Sequence, residues 1–119
     1  MKHGRKITGG RYKKQKKKRL YERAGQKKTT KVGEEVIKTS RTTGGNSKTS
    51  LLRTKSVNIQ KKGKTIKAKI KNVIETPSNK FLARQNIITK GTILDTDKGK
   101  VKVTSRPTQD GVVNGILIE

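Results

Sequence analysis

The first quarter of the chain cannot build a core. Residues 1–31 hold 14 basic residues and one acidic residue, Glu22, a net of +13. From Lys2 to Lys31 the larger apolar side chains are Ile7, Tyr12, Leu20 and Tyr21. So few apolar groups bury too little surface to offset the entropy of ordering a segment whose charges repel one another. The stretch reads as a basic arm, disordered when the protein is free. Tyr12 to Arg23 can become a short helix once phosphates neutralise it, with Ala24-Gly25 ending it. Any compact domain must therefore come from residues 32–119, which hold 18 basic and seven acidic residues, a net of +11. The full 119 residues suffice for one domain plus this arm.

A net charge of +24 brings a free globular protein only self-repulsion. It makes sense where a polyanion supplies the missing negative charge, and nucleic acid is the usual one. The bland alternative, a merely soluble basic protein, needs far less charge than this. Hydrophobic residues make up 27% and aromatics 3%, so the core must be small and aliphatic. The chain has no Cys, which excludes a disulfide framework or thiolate metal site and fits a reducing interior. No apolar run approaches the roughly 18 residues of a membrane span. The basic N-terminus has no apolar stretch behind it, so no secretory signal is expected. No amphipathic helix with bulky apolar residues suggests a membrane surface.

From Val32 onward the apolar residues become β-branched and evenly spaced. Ile66, Ala68, Ile70 and Asn72 alternate with Lys67, Lys69, Lys71 and Val73, a period of two with one apolar and one cationic face. Val101 and Val103 alternate with Lys100, Lys102 and Thr104. Val112-Val113 and Ile116-Leu117-Ile118 flank Asn114-Gly115, which suggests a bulge there. Val32–Thr39, Leu51–Gln60 and Ile87–Asp95 are weaker strand candidates. Gln60 to Lys64 and Asp97-Lys98-Gly99 read as hairpin turns. Pro77-Ser78-Asn79 marks a longer loop, and Arg106-Pro107 through Asp110-Gly111 another. No stretch after residue 32 shows 3.6-residue periodicity. Five or six short strands in under 90 residues predict a compact all-β domain, partly or fully closed as a barrel so that its edges are protected.

The strongest chemical signal is the run Lys13-Lys14-Gln15-Lys16-Lys17-Lys18-Arg19. These side chains pair with phosphates and release condensed counterions. Tyr12 and Tyr21 flank the run, and a ring beside cations can stack on an unpaired base. The same run could be a solvated charge cluster or a nuclear-import signal; charge continuing onto the β-domain favours RNA, although basic runs alone do not separate RNA from DNA. The second signal is Arg41-Thr42-Thr43-Gly44-Gly45-Asn46-Ser47-Lys48. Its glycines allow a tight backbone and close approach, and successive N–H groups can hold a phosphate oxygen. Arg41, Lys48 and Arg53 would supply charge around it. From these residues alone, phosphate binding and a plain flexible hairpin stand level. Thr8-Gly9-Gly10-Arg11 repeats the same chemistry in the arm.

Catalysis finds little footing. Gly63-Lys64-Thr65 resembles the end of a nucleotide-binding loop, but the required earlier glycine is Asn58, and a strand pattern follows where a helix is needed. His3 is the only histidine and lies in the arm, where nothing holds it beside a carboxylate and a nucleophile. Asp95 and Asp97 lack the remaining ligands of a calcium loop and suit a turn. Glu34 and Glu35 would point to opposite faces of a strand. No cofactor, metal or small-molecule substrate is expected.

In order along the chain, three stretches look familiar. They are Arg5-Lys6-Ile7-Thr8-Gly9-Gly10-Arg11-Tyr12 with Lys17 to Glu22; Thr30 to Glu34 with Arg41 to Lys48; and Asn86 to Gly91 with Thr104-Ser105-Arg106-Pro107 and Gln109 to Asn114. The set resembles the archaeal and eukaryotic type of small-subunit ribosomal protein eight, in its archaeal form, and not the bacterial namesake. After the Gly-Gly-Asn loop the family tends toward arginine, where this chain has Thr49-Ser50-Leu51-Leu52. The resemblance implies a six-stranded β-barrel-like domain with a basic extension that penetrates ribosomal RNA. It implies assembly into the small subunit among neighbouring ribosomal proteins, in the cytoplasm. It places Gly9, Gly10, Arg11, Gly44, Gly45, Asn46 and Lys48 on RNA. With the bottom-up candidates Arg5, Lys6, Tyr12, Lys13, Lys14, Lys16, Lys17, Lys18, Arg19, Arg23, Arg41 and Arg53, these form the expected RNA-binding set. A DNA-compacting chromatin protein is the rival binding function, and an enzyme acting on RNA the rival of another class; the latter lacks a second histidine or clustered carboxylates.

Overall fold

The structure, a computed structural model, describes residues 4–13, 15–61 and 63–118. Strands β1 (Thr30–Val32), β2 (Val36–Arg41), β3 (Ser47–Thr54), β4 (Ser56–Lys61) and β5 (Lys64–Glu75) come first. Helix α1 (Lys80–Arg84), β6 (Ile87–Ile88), β7 (Ile93–Thr96), β8 (Gly99–Val103), helix α2 (Pro107–Asp110) and β9 (Asn114–Leu117) follow. The protein is all-β, as the alternation predicts. The strand count differs from the six expected: β4-β5-β7-β8-β9 close a five-stranded barrel, and β2-β3-β1-β6 form a second sheet. The weaker strand candidates each proved to be two strands. Val32–Thr39 breaks at Gly33-Glu34-Glu35, Leu51–Gln60 at Lys55, and Ile87–Asp95 at Thr89 to Thr92. At Lys55 the Thr54 hydroxyl donates to Ser56 O and accepts from Ser56 N, both at 3.2 Å, which fixes the chain as it leaves one sheet for the other.

The barrel core is aliphatic throughout: Val57, Ile59, Ala68, Ile70, Val73, Leu94, Val101, Val103 and Val113, joined by Leu51 and Ile88 of the second sheet. Fully burying each larger side chain contributes about 1.5–3 kcal/mol. On β5, strict alternation would send Asn72 inward after Ala68 and Ile70. The β5–β7 register instead shifts between Ile70 and Asn72 and again between Val73 and Glu75. The extra residue reverses the parity, so Val73 is buried and Asn72 is exposed. An amide without partners in this core would carry its full desolvation cost.

The bulge expected at Asn114-Gly115 is not there. β9 pairs in continuous register with β8, Val103↔Gly115 through Val101↔Leu117. It also closes the barrel by pairing parallel with β4 at Asn58↔Asn114, Ile59↔Gly115 and Gln60↔Ile116. The Asn58 amide donates to Asn114 Oδ1 at 3.1 Å across that seam. Gly115 is needed for close approach, since a Cβ there would lie 2.4 Å from Val101 Cγ1 and 2.9 Å from the Lys102 carbonyl oxygen.

Both expected turns are present. Lys61↔Lys64 brackets one, with Gly63 at φ +78; its Lys62 lies outside the described residues. Asp97-Lys98 makes the other, between Thr96 and Gly99. Two stretches read as loops contain short helices. Asn79 caps α1 by accepting from Phe81 N at 2.9 Å, and α2 starts on Pro107 and ends on left-handed Gly111. Both are too short to show a helical period.

Before β1 the chain runs in the open. Every described residue from Gly4 to Lys28 is exposed. The radius of gyration is 21.4 Å, against about 13.5 Å for a compact chain of this length. Leu20–Glu22 forms one 3-10 turn, and Arg23 beyond it is extended.

Candidate nucleic-acid interface

The leader begins with a miniature hairpin. Lys6 N donates to Gly10 O at 2.8 Å and Gly9 N to Lys6 O at 2.9 Å. Gly9 sits at φ +78, the left-handed position that a three-residue hairpin loop requires. The turn brings Arg5, Lys6, Gly9, Gly10, Arg11 and Tyr12 together. Arg5 Nη1 donates to Gly9 O at 3.2 Å, and Lys6 Nζ lies 5.7 Å from the Tyr12 ring centroid. Arg5 and Arg11 are direct cross-strand neighbours. Like charges so placed destabilise the pair, and an anion between them removes that penalty.

Lys13, Lys16, Lys17, Lys18, Arg19 and Arg23 follow, all exposed; Lys14 and His3 lie outside the described residues. The single acidic residue of the leader is already engaged. Glu22 accepts from Lys16 Nζ at 3.1 Å and from Arg19 N at 2.9 Å, which closes the 3-10 turn. Tyr12, Leu20 and Tyr21 are exposed beside the cations.

The second sheet carries the Gly-Gly-Asn loop at the tip of the β2–β3 hairpin. Gly44 and Gly45 both take φ +76, so the loop demands two consecutive residues without a Cβ penalty. Thr42 N donates to Asn46 O at 2.7 Å, and Asn46 Nδ2 to Thr43 O at 3.2 Å. The Asn46 amide thus holds the loop shut. Arg41 pairs with Ser47 and Lys48 with Ser40, so the two cations project from opposite faces of the hairpin. Arg53 does not join them. It pairs with Val36 and Lys31 at the far end of β3, roughly 17 Å from Lys48 at strand rise, where its stem covers Gly33.

Lys28 and Lys38 are brought to this site without a sequence signal of their own. Lys38 pairs with Ser50, on the same face as Lys48, and Lys28 Nζ donates to Ser50 Oγ at 3.0 Å. Between leader and hairpin lies an open cleft of about 660 Å³, lined among others by Lys28, Lys48, Ser40 and Ser50. Only the register of the hairpin reveals that Lys38 and Lys48 share a face. On the barrel, Lys67, Lys69, Lys71, Lys100 and Lys102 are exposed. Asp97 takes the turn role: its carboxylate accepts from Lys69 N at 3.1 Å. Gly63-Lys64-Thr65 leads into β5, not a helix. No group of three or more potential metal-ligating side chains occurs among the described residues.

The class defined by these features is a small, strongly basic all-β protein. The family model described as Ribosomal protein S8e matches residues 1–118, and the chain belongs to that family. It is similar to "Small ribosomal subunit protein eS8" of Nanoarchaeum equitans, 50% identical over 115 residues, covering 95% of this chain and 91% of the relative. The protein of that name from Haloarcula marismortui is 45% identical over 115 residues, covering 97% and 94%. That from Staphylothermus marinus is 48% identical over 118 residues, covering 97% and 92%. Membership makes the chain a ribosomal structural component of the cytoplasm rather than an enzyme.

Proposed function

We propose that the protein is a constituent of the small ribosomal subunit that binds and stabilises 16S-type ribosomal RNA and supports subunit assembly. The relatives carry the small-subunit designation in their names. The observation that carries the RNA reading is the leader: every described residue from Gly4 to Lys28 is exposed, and a net of +13 stands over residues 1–31. Residues 1–28 act as an arm that threads between RNA segments and neutralises phosphates; Thr30 and Lys31, expected at the end of that arm, instead belong to β1 of the β-domain. The β-domain docks beside it through the Gly-Gly-Asn loop and the cleft lined by Lys28 and Lys48, with Lys38 on the same hairpin face as Lys48. Arg5, Lys6, Arg11, Lys13, Lys14, Lys16 to Arg19, Arg23, Arg41 and Arg53 serve as phosphate contacts. Gly9, Gly10, Gly44 and Gly45 let the backbone come close, and Tyr12 stacks on an unpaired base. Neighbouring ribosomal proteins complete the surroundings.

Competition with a salt series tests this. Binding to folded small-subunit RNA should fall with salt by a logarithmic slope of about 0.7–0.9 per phosphate contact. Structured ribosomal RNA should outcompete duplex DNA of equal phosphate content. A salt-independent constant would remove phosphate binding as the basis of the RNA reading, and equal competition by duplex DNA would favour DNA compaction instead.

A further inference from the structure

The only phenylalanine of the chain is not in the core. Phe81 lies on α1 with 65% of its surface exposed, in a protein whose core is wholly aliphatic. Arg84, one turn on, places its guanidinium carbon 5.7 Å from the ring centroid, and Lys80 precedes it on the same short helix. Asn79 fixes where that helix starts. Beside it an open cleft of about 620 Å³ runs between α1 and the end of β5, a size within the roughly 300–1,000 Å³ range of ligand clefts. Polar groups line it: Asn72, Glu75, Thr76 and Asn86. Asn72 is turned outward by the β5 bulge, and Asn86 is held at φ 53. Thr76 is fully buried, and its hydroxyl has no hydrogen-bond partner among the described residues. A buried hydroxyl left unmet is a group that a bound molecule or its water can satisfy.

We infer that this cleft receives one unpaired nucleotide of RNA, a contact separate from the leader and the Gly-Gly-Asn loop. The inference rests on the RNA reading above and adds a second, non-electrostatic mode to it. Charge sets the orientation. Lys80 and Arg84 take the flanking phosphates, while the Glu75 carboxylate in the cleft repels phosphate and accepts from an amino or imino group of a base. Asn72 and Asn86 offer both donors and acceptors to the same edge. Phe81 does not line the cleft itself; its ring lies beside Arg84, which does, and there supplies the stacking surface that an unpaired base leaving the cleft uses. A protein partner would meet an apolar ring rimmed by these cations and amides; the surrounding excess of positive charge favours the nucleotide.

The test uses the full chain and two probes, a single-stranded oligoribonucleotide containing 4-thiouridine and a blunt RNA duplex with the same number of phosphates. Phe81→Ala should weaken single-strand binding by about tenfold and leave duplex binding unchanged. Phe81→Tyr should restore the loss, and the thiouridine adduct should map to the peptide carrying Phe81. Because Phe81 is exposed, an unchanged melting transition shows that the substitution acts on binding. Equal affinity of Phe81→Ala and the parent for both probes overturns the nucleotide site and leaves the leader's role standing. Phe81→Ala that binds both RNAs normally yet fails to enter the subunit also overturns it, assigning the ring to a protein neighbour. A parent chain that binds neither RNA overturns this inference together with the RNA reading beneath it.

Discussion

Deleting residues 1–28 should lower the affinity for folded small-subunit RNA by about a thousandfold at low salt while leaving a cooperative thermal transition. The deletion removes thirteen of the 32 basic residues and one acidic residue. If six of those cations contact phosphates, the logarithmic salt slope becomes shallower by about four to five. The folded part loses little. β1 starts at Thr30, whose hydroxyl donates to Leu51 O at 2.6 Å, and that bond stays. The tie that goes is Lys28 Nζ to Ser50 Oγ. Titrations at several salt concentrations, paired with calorimetry, check both halves. A truncated chain with parental affinity would show that the leader is not the main RNA contact, and loss of the cooperative transition would show that the β-domain needs it.

The largest stability effect should come from Gly115. Its missing side chain is what lets β9 lie against β8 while closing on β4. The Cβ of Gly115→Ala would meet Val101 Cγ1 at 2.4 Å and the Lys102 carbonyl oxygen at 2.9 Å. Val101 is fully buried and branched, and the oxygen belongs to the backbone. Neither can retreat without disturbing the seam. Overpacking of this kind costs about 1–3 kcal/mol, a fall in Tm of roughly 4–8 °C for each kcal/mol in a domain of this size. Gly115→Val should be worse. Gly25→Ala, where a Cβ meets nothing within 4 Å, should leave Tm unchanged. Thermal melts of the three variants decide it, and a Gly115→Ala chain that melts like the parent would mean that the seam is not built this way.

What could be read from the residues alone follows how local each signal is. The all-β class was visible because Ile66, Ala68 and Ile70 alternate with lysines, and a period of two needs only neighbours to show itself. The switch from Asn72 to Val73 was not visible, because the bulge exists only when β7 lies alongside. The same holds for Gly115: a glycine between apolar residues reads as a bulge or as a close approach, and only the third strand decides. The two short helices had weak signals that a keener reading can use. Asn79 just after Pro77 is a cap, and Pro107 with Gly111 has the proline-first, glycine-last order of a helical turn. For the candidate interface, the leader's charge was legible without any structure. The grouping of Lys28, Lys38 and Lys48 needed the hairpin register, as did the separation of Arg53 from the loop it was expected to serve. Phe81 carried no periodicity and gave no hint of being outside.

Behind all of these stands one electrostatic claim, that a chain with an excess of 24 positive charges exists in its working state wrapped in ribosomal polyanion. Fractionating native cell lysate on a sucrose gradient at low salt tests it most directly. The protein should sediment with the small ribosomal subunit and shift toward the top of the gradient as salt is raised. A protein found at the top of the low-salt gradient, free of RNA, would contradict the account.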